Sequence, residues 1–365
     1  MPSVVPASTE PRVPKLQRAV VQDATGVPVL SRDVPIPLLG TNDILVKTVA
    51  VALNPSDYKM GQNFPTPRAV IGMDFAGEVI RMDPEAAELR PDLKIGDMVC
   101  GVIHGSNPAG PDNGAFSEFL RAPAGLVMKI PPGVKVEDAA SLGVAVATAC
   151  LIWESLGLTA TPDAPTLKQV PVLVYGGSTS TGTMALQLLK LSGLTPIATC
   201  SPKNFNLAKS YGAEAVFDYA SPDVSGTIRK HTGGRLRHAL DCITDRDSVG
   251  CCYQAIGRTG GNYAALELVS DELRTRGAVK YDFVMALDVF GRGVELHSGY
   301  ERDPNPARYH AAVKWIAMCQ ELLSCGKLRT HPVQVLNGGF DAILEGLQLL
   351  KKGAVSGKKL VVRLS

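Results

Sequence analysis

Apolar and polar positions follow two different periods along this chain, and the change between them divides it. Up to about residue 120 the apolar residues come in short extended runs, at 18–23, 27–31 and 44–51, the last with period-two alternation. A glycine-punctuated run at 71–80 and the segments 96–101 and 114–119 repeat the style. Short strands at close spacing, with glycines at the bends, predict an irregular β-barrel. Between two of these runs, Asn54, Pro55, Ser56 and Asp57 read as a turn or helix start, with Asp57 or Ser56 as the cap.

From about 136 the period becomes helical. The apolar run 139–152 is rich in Ala, Gly and Val, is shorter than a bilayer span, and predicts a buried helix. From 172 onward strands (172–175, 196–200, 215–219, 239–243, 261–266) alternate with helices (183 to Gly193, 204–211, 247–256). That alternation predicts a parallel, right-handed, doubly wound α/β sheet. Residues 309–325 and 340–352 read as amphipathic helices, and 359–364 as a last strand that returns to the amino-terminal β domain.

The stretch 170–193 carries the clearest chemistry. A buried strand runs into a turn of Gly176, Gly177, Ser178, Thr179, Ser180, Thr181 and Gly182, then into a helix. The glycines depart from a strict dinucleotide fingerprint, but strand, glycine turn and helix together suit a pyrophosphate. Glycine permits close backbone approach, and the free N–H groups at the helix start favour negative charge. After the next strand, where the adenosine ribose would lie, an NAD enzyme places Asp or Glu. This chain has Ser201, Pro202, Lys203 and Asn204 instead. A hydroxyl and a cation suit a 2′-phosphate that a carboxylate would repel, so the expected cofactor is NADPH/NADP. Asn204 reads equally as a helix cap, and Tyr219 either packs on the adenine or belongs to the core.

Length and composition allow two domains with real cores, and the net charge of +2 comes without a dense basic tract. Nothing therefore asks for a nucleic-acid or membrane partner. The Pro- and Ser-rich residues 1–14 read as a disordered lead-in without a signal-peptide apolar region. The eight cysteines lie mostly in apolar strings without zinc-ribbon spacing, which suits free buried thiols in a reducing, cytoplasmic compartment.

Several motifs then occur in order: Gly72-Met73-Asp74-Phe75-Ala76-Gly77-Glu78-Val79, Gly96-Asp97-Met98-Val99, Gly114-Ala115-Phe116-Ser117-Glu118-Phe119, the turn through Gly182 with Gln187, and 257–261. In these the chain resembles the medium-chain dehydrogenase/reductase superfamily over essentially its whole length. The resemblance implies a GroES-like catalytic domain (15–165 with 310–365) and a Rossmann nucleotide-binding domain (166–309). Asn54-Pro55-Ser56-Asp57 narrows it toward quinone oxidoreductases and enoyl reductases. Tyr175-Gly176-Gly177-Ser178-Thr179, 198–205, 240–244 and 355–362 are similar to the stand-alone enoyl reductases of fungal polyketide pathways. That likeness implies NADPH-dependent reduction of an α,β-unsaturated thioester carried on the acyl carrier protein of a polyketide synthase.

Zinc alcohol dehydrogenases of the superfamily place Cys where this chain has Pro55-Ser56, and His-Glu where it has Met73-Asp74. They carry a four-Cys lobe where 106–113 lies, and His104 alone makes no tetrahedral site, so no metal is expected. Without a Lewis acid, hydride addition to an activated alkene is better supported than alcohol chemistry, and the enolate needs hydrogen-bond donors.

The implied cofactor contacts are Ser56, Asp57, Tyr58, Lys59, Thr179, Ser180, Thr181, Gly182, Ser201, Pro202, Lys203, Asn204, Tyr219, Leu266, Glu267, Val355 and Ser356. Leu266 and Glu267 end a strand at the sheet's carboxyl edge, where ligands of open sheets lie. Lys59 orients a phosphate or the substrate carbonyl, or is a surface lysine. Thr148 donates to that carbonyl or bonds its own backbone. By family analogy Ala149, Cys150, Leu151, Ile152, Trp153, Glu154, Ser155 and Leu156 wall the acyl pocket, with Leu287, Asp288, Val289, Phe290 and Gly291. Trp153 and Phe290 also read as core.

Some relatives use a Tyr shortly after the NPSD motif as proton donor. Here Asn63-Phe64-Pro65 stands in that region, and Tyr58 is expected to point elsewhere, which leaves water as the donor. Two other functions fit the same residues: an NADPH quinone or enone reductase of free small molecules, and a non-catalytic NADPH-binding partner protein. The segment 284–299, taken as the sheet's last edge, is broken by Gly291, Gly293 and Gly299, which predicts poor edge pairing and a monomer.

Overall fold

The computed structural model describes residues 13–364. Most of the expected lead-in, residues 1–12, lies outside the described residues. The first half runs β1 (Leu16–Gln22), β2 (Pro28–Pro35), β3 (Asp43–Ala52), α1 (Pro55–Asn63), β4 (Asp74–Met82), α2 (Pro84–Leu89), β5 (Met98–Val102), β6 (Phe119–Pro123) and β7 (Val127–Lys129). Two helices, α3 (Val136–Ala139) and α4 (Gly143–Leu156), lead into the alternating part. There follow β8 (Pro171–Tyr175), α5 (Ser180–Leu191), β9 (Thr195–Cys200), α6 (Phe205–Ser210), β10 (Ala215–Asp218), α7 (Val224–His231), β11 (His238–Asp241), α8 (Arg246–Ala255), β12 (Gly261–Ala265) and β13 (Val279–Phe283). The chain ends with α9 (Pro306–Ser324), β14 (Val333–Leu336), α10 (Phe340–Lys351) and β15 (Lys359–Arg363).

Two sheets carry the architecture. The six-stranded sheet has the order β10-β9-β8-β11-β12-β13, all neighbours parallel. Its chain order reverses beside β8, so the carboxyl ends of β8 and β11 open the crevice where ligands of such sheets bind. The other sheet has the order β14-β15-β3-β4-β5-β7, with β6 also on β3, and β1 pairs with β2 beside it. β15 pairs antiparallel with β3, matching Val361 with Ala52, so the end of the chain does return to the first domain.

The domains share a core. α4 is buried along nearly its whole length, and Leu151, Ile152, Trp153 and Leu156 are each under 5% exposed. Burying each such side chain is worth about 1.5–3 kcal/mol, so α4 anchors both halves. The stretch Val136–Leu156 is long and apolar enough to span a membrane by composition, and 83% of its most apolar window is buried inside the protein. A second link joins α5 to the segment before β14: the Gln187 amide exchanges hydrogen bonds with the Arg329 backbone at 2.9 and 3.0 Å.

Several expected elements shift, each for a local reason. The strand expected at 71–80 starts at Asp74, because Gly72 adopts φ +98° and a Cβ there would lie 2.3 Å from the Phe116 ring. The expected strand at 114–119 is mostly an irregular crossing, in which Gly114 lies against the Val70 carbonyl, and pairing starts at Phe119. The single helix expected over 139–152 is two, separated at residues 140–142. α5 begins at Ser180 rather than 183, because the Thr179 hydroxyl caps it by accepting from the Gly182 N–H at 3.0 Å. The helix expected from 204 starts at Phe205, after a 3-10 turn over Pro202–Asn204. The segment 284–299 is not the sheet's edge. That edge is β13, and the chain then makes a 3-10 turn at Ala286–Phe290. Helices α2 and α7 and strands β13 and β14 escaped the pattern, being short or half exposed.

All eight cysteines are free, and only Cys325 is exposed. Burial pushes the Cys150, Cys242, Cys251 and Cys319 thiols up to about 12, so they stay protonated at neutral pH.

Candidate active site

A cleft of about 490 Å³ opens between the domains. One wall is α1 with Met73 and α4; the other is the α5 turn and the ends of β11, β12 and β13. Of the expected site residues, Ser56, Tyr58, Lys59, Thr148, Thr179, Ser180, Thr181, Leu266, Glu267 and Leu287 all line it.

α1 is held from beneath by a buried polar cluster. Its N-cap is Asn54, not Ser56 or Asp57, and the Asn54 N–H donates to the Asp57 carboxylate at 2.7 Å. Asp57 therefore lies under the helix rather than in the cleft, and burial pushes its carboxyl up to about 8. The Asn54 amide donates to Asp74 at 2.9 Å and accepts from Lys359 at 2.8 Å, while Lys359 pairs with Asp74 at 2.5 Å. The second Asp74 oxygen accepts from the Val144 N–H at 2.6 Å, at the start of α4. One carboxylate thus fixes α1, α4 and β15 relative to β4. Tyr58, expected to point elsewhere, faces the cleft with Met60, Asn63 and Phe64.

The nucleotide side fits a dinucleotide. A Cβ on Gly182 would lie 2.4 Å from the Gly176 carbonyl, and one on Gly177 2.6 Å from Ala198. Gly176 itself has φ +80°. Only glycines permit this tight turn, which leaves the start of α5 open to an anion. The Ser180 hydroxyl is buried there without a partner. Beyond the cleft, the Asn204 amide donates to Ser178 at 3.3 Å and to Ser356 at 3.1 Å, which joins the two outer segments beside the turn. Ser201 and Val355 are half-buried and Pro202 and Lys203 exposed in the same region. Tyr219 is 49% exposed, 6.4 Å from the Tyr175 ring.

The acyl wall differs from expectation. On α4 only Val144 and Thr148 reach the cleft, because a helix shows a site one residue per turn. Ala149, Cys150, Leu151, Ile152 and Leu156 are core; Trp153 packs at a tilt against Trp315 and donates to the Ala160 carbonyl at 2.8 Å. Glu154 pairs with Arg308, and the Ser155 hydroxyl is buried outside the lining. Beyond Leu287, Asp288 is tied to Arg308 and Arg302, Val289 is core, and Phe290 and Gly291 line a separate hollow. The walls come instead from Phe64, Met73, Ile243, Phe283, Val284, Met285, Ala286 and Leu296. Phe64, Met73 and Ile243 stood in or near a recognisable motif; the others lie at the end of β13 or in the segment that follows it and carried no such signal.

Lys59 and Glu267 are the only charged side chains among the described lining residues, and they pair with each other at 3.2 Å. The Tyr300 hydroxyl donates to the other Glu267 oxygen. Burial, then that bond, raises the Tyr300 phenol above its ordinary range. The Thr148 hydroxyl donates to the Val144 carbonyl at 2.6 Å. The Ser56 hydroxyl donates to the Met73 sulfur at 3.2 Å, and among the described residues no three His, Cys, Asp or Glu side chains are grouped to hold a metal ion.

A two-domain chain with a glycine turn at a sheet's switch point and an apolar interdomain cleft is built as a nicotinamide-dependent oxidoreductase. The alcohol dehydrogenase GroES-like domain profile matches residues 40–132, and the zinc-binding dehydrogenase profile matches 180–273. A trans-enoyl reductase of Penicillium oxalicum is 46% identical over 353 residues, covering 96% of this chain and 93% of that one. Another, of Gibberella zeae, is 46% identical over 350 residues, covering 96% and 97%. Among solved structures, an alcohol dehydrogenase superfamily protein of Novosphingobium aromaticivorans superposes with TM-score 0.75 at 22% identity, covering 96% and 100% of the two chains. A mycobacterial protein complexed with NADPH superposes with TM-score 0.70 at 21% identity, covering 95% and 99%. The chain belongs to the trans-enoyl reductases of the medium-chain dehydrogenase/reductase superfamily.

Proposed function

We propose that this cleft reduces the α,β-double bond of a polyketide thioester presented on the acyl carrier protein of a separate fungal synthase, with NADPH as reductant. The observation that carries this reading is the apolar cleft beside the glycine turn, whose only charged lining residues among those described are Lys59 and Glu267. An acyl chain needs apolar walls, and the reaction needs one donor for the thioester oxygen as negative charge grows there. Bound reduced nicotinamide supplies the hydride for the β-carbon.

The chain's own residues supply the rest. Thr179, Ser180 and Thr181 cradle the pyrophosphate, and Ser201 with Lys203 holds the 2′-phosphate. Leu266 and Glu267 present backbone to the nicotinamide carboxamide, with Val355 and Ser356 on the other side. Lys59 addresses the thioester oxygen. Thr148 is the weaker donor, since its hydrogen is engaged by the Val144 carbonyl. The α-carbon proton comes from water. The protein works in the cytoplasm as a monomer that docks transiently on its synthase. The edge strand β13 supports the monomer, because it exposes Lys280 and Asp282, and charges blunt an open edge.

NADPH oxidation tests the reading, with a crotonyl or 2-methylcrotonyl thioester on pantetheine and on carrier protein, and with NADH and a free quinone in parallel. Thioester turnover preferring NADPH and the carrier-bound form is expected. Turnover of the quinone alone would replace it by the small-molecule reductase. Tight NADPH binding without turnover of any substrate would favour a non-catalytic partner.

A further inference from the structure

The two charges of the cleft come from different domains. Lys59 lies on α1, while Glu267 follows β12 and Tyr300 lies beyond β13 on the nucleotide side. The Lys59 side chain is 45% exposed and that of Glu267 29%, so the pair lies at the cleft wall within reach of solvent. An isolated pair this exposed is held only loosely. Here, however, the carboxylate has no freedom of its own: one oxygen takes the Lys59 ammonium and the other the Tyr300 hydroxyl. Tyr300 is in turn fixed by edge-on contacts with Phe64 at 5.1 Å and Phe283 at 5.4 Å. Phe64 closes α1, the helix that bears Lys59, and Phe283 ends β13. The nucleotide domain therefore grips α1 twice, at Lys59 and at Phe64.

We propose that Glu267 is a positioning residue for Lys59, with Tyr300 setting the orientation of the carboxylate; this rests on the reading that Lys59 addresses the thioester oxygen. A four-carbon lysine stem free in a cleft samples many rotamers, and a fixed carboxylate removes most of them before substrate arrives. The pairing also limits the reach of the ammonium, so it meets an oxygen in the cleft rather than bulk water. Glu267 acts through Lys59, and Tyr300 acts through Glu267. Three residues far apart in sequence then form one chain across the cleft.

The test is a double-mutant cycle with an independent readout on the protein without substrate. Glu267→Gln and Tyr300→Phe keep size and ring packing and remove the charge or the hydroxyl. Each is expected to lower kcat on the thioester, Glu267→Gln by about tenfold and Tyr300→Phe by about threefold, with the NADPH Kd, read by fluorescence, within about twofold. In a Lys59→Met background neither should lower kcat further, since a residue that acts only through Lys59 has nothing left to position. Pulse acetylation with peptide mass spectrometry should label Lys59 about threefold faster in Glu267→Gln than in the parent protein, because a side chain released from the carboxylate is freer to meet the reagent. Multiplying losses in the double variants, or unchanged Lys59 labelling, would overturn the positioning role and leave the enoyl-reductase reading intact. A Lys59→Met enzyme of full activity would instead overturn the role of Lys59, and the positioning role with it.

Discussion

Asp74 and Lys359 form an ion pair at 2.5 Å, with side chains 0% and 5% exposed, between residues 285 positions apart. The pair joins β4 to β15, and Asn54 bridges it to the start of α1. Removing one partner leaves an uncompensated buried charge. Lys359→Met is therefore expected to destabilise the protein by about 3–5 kcal/mol, read from urea unfolding midpoints. Asp74→Asn with Lys359→Met should recover much of that loss. Equal stability of Lys359→Met and the parent would show that the pair contributes nothing.

The glycine turn makes a sharper steric prediction. A Cβ at residue 182 would meet the Gly176 carbonyl at 2.4 Å and the Thr179 hydroxyl at 2.9 Å, and backbone cannot yield as a side chain does. Gly182→Ala should weaken NADPH binding by about tenfold or more, a cost of at least 1.4 kcal/mol. It should also lower the melting temperature.

Cofactor choice is testable at Lys203. The side chain is exposed beside the Asn204–Ser356 contact and is the one proposed above to hold the 2′-phosphate. Lys203→Ala should raise the Kd of NADPH by about tenfold and leave that of NADH unchanged, since NADH lacks the phosphate. Equal loss for both would move the 2′-phosphate elsewhere.

Acid stability depends on His331. It lies buried, its Nδ1 2.9 Å from the Thr183 hydroxyl, and burial, with Lys359 nearby, lowers its pKa from 6.5 to about 4. Between these values the unfolded chain binds the proton and the folded one does not, so stability falls as pH drops from about 6.5 to about 4. His104, also lowered to about 4 by burial, acts with the same sign. His331→Asn removes one titrating group. Its melting temperature should therefore fall less than the parent's between pH 7 and pH 4.5.

Much of this molecule was legible in its sequence, because its strongest signals are local. The alternation at 44–51, the strand and glycine turn around 172–182 and the returning strand at 359–364 each depend on neighbours in the chain, and each lies within a few residues of its predicted place. The motifs likewise marked α1, Thr179–Thr181 and Leu266–Glu267, which meet at one cleft. Helical phase within an apolar run was not legible. α4 is apolar all round, so no moment told which face would be core, and 149–156 turned away while Val144 and Thr148 turned in.

What the sequence determined by itself was the two-domain order, the nucleotide turn and the absence of the zinc ligands at Ser56 and Met73, since residue type and short spacing suffice for those. Tertiary structure alone decided that Asn54, Asp74 and Lys359 share one buried cluster, and that Lys59, Glu267 and Tyr300 meet across the cleft. The physical reason is that each contact joins separate elements, brought together by strand order and by the packing of α4. A hydrogen bond or ion pair between residues some 200 positions apart leaves no periodicity in the chain.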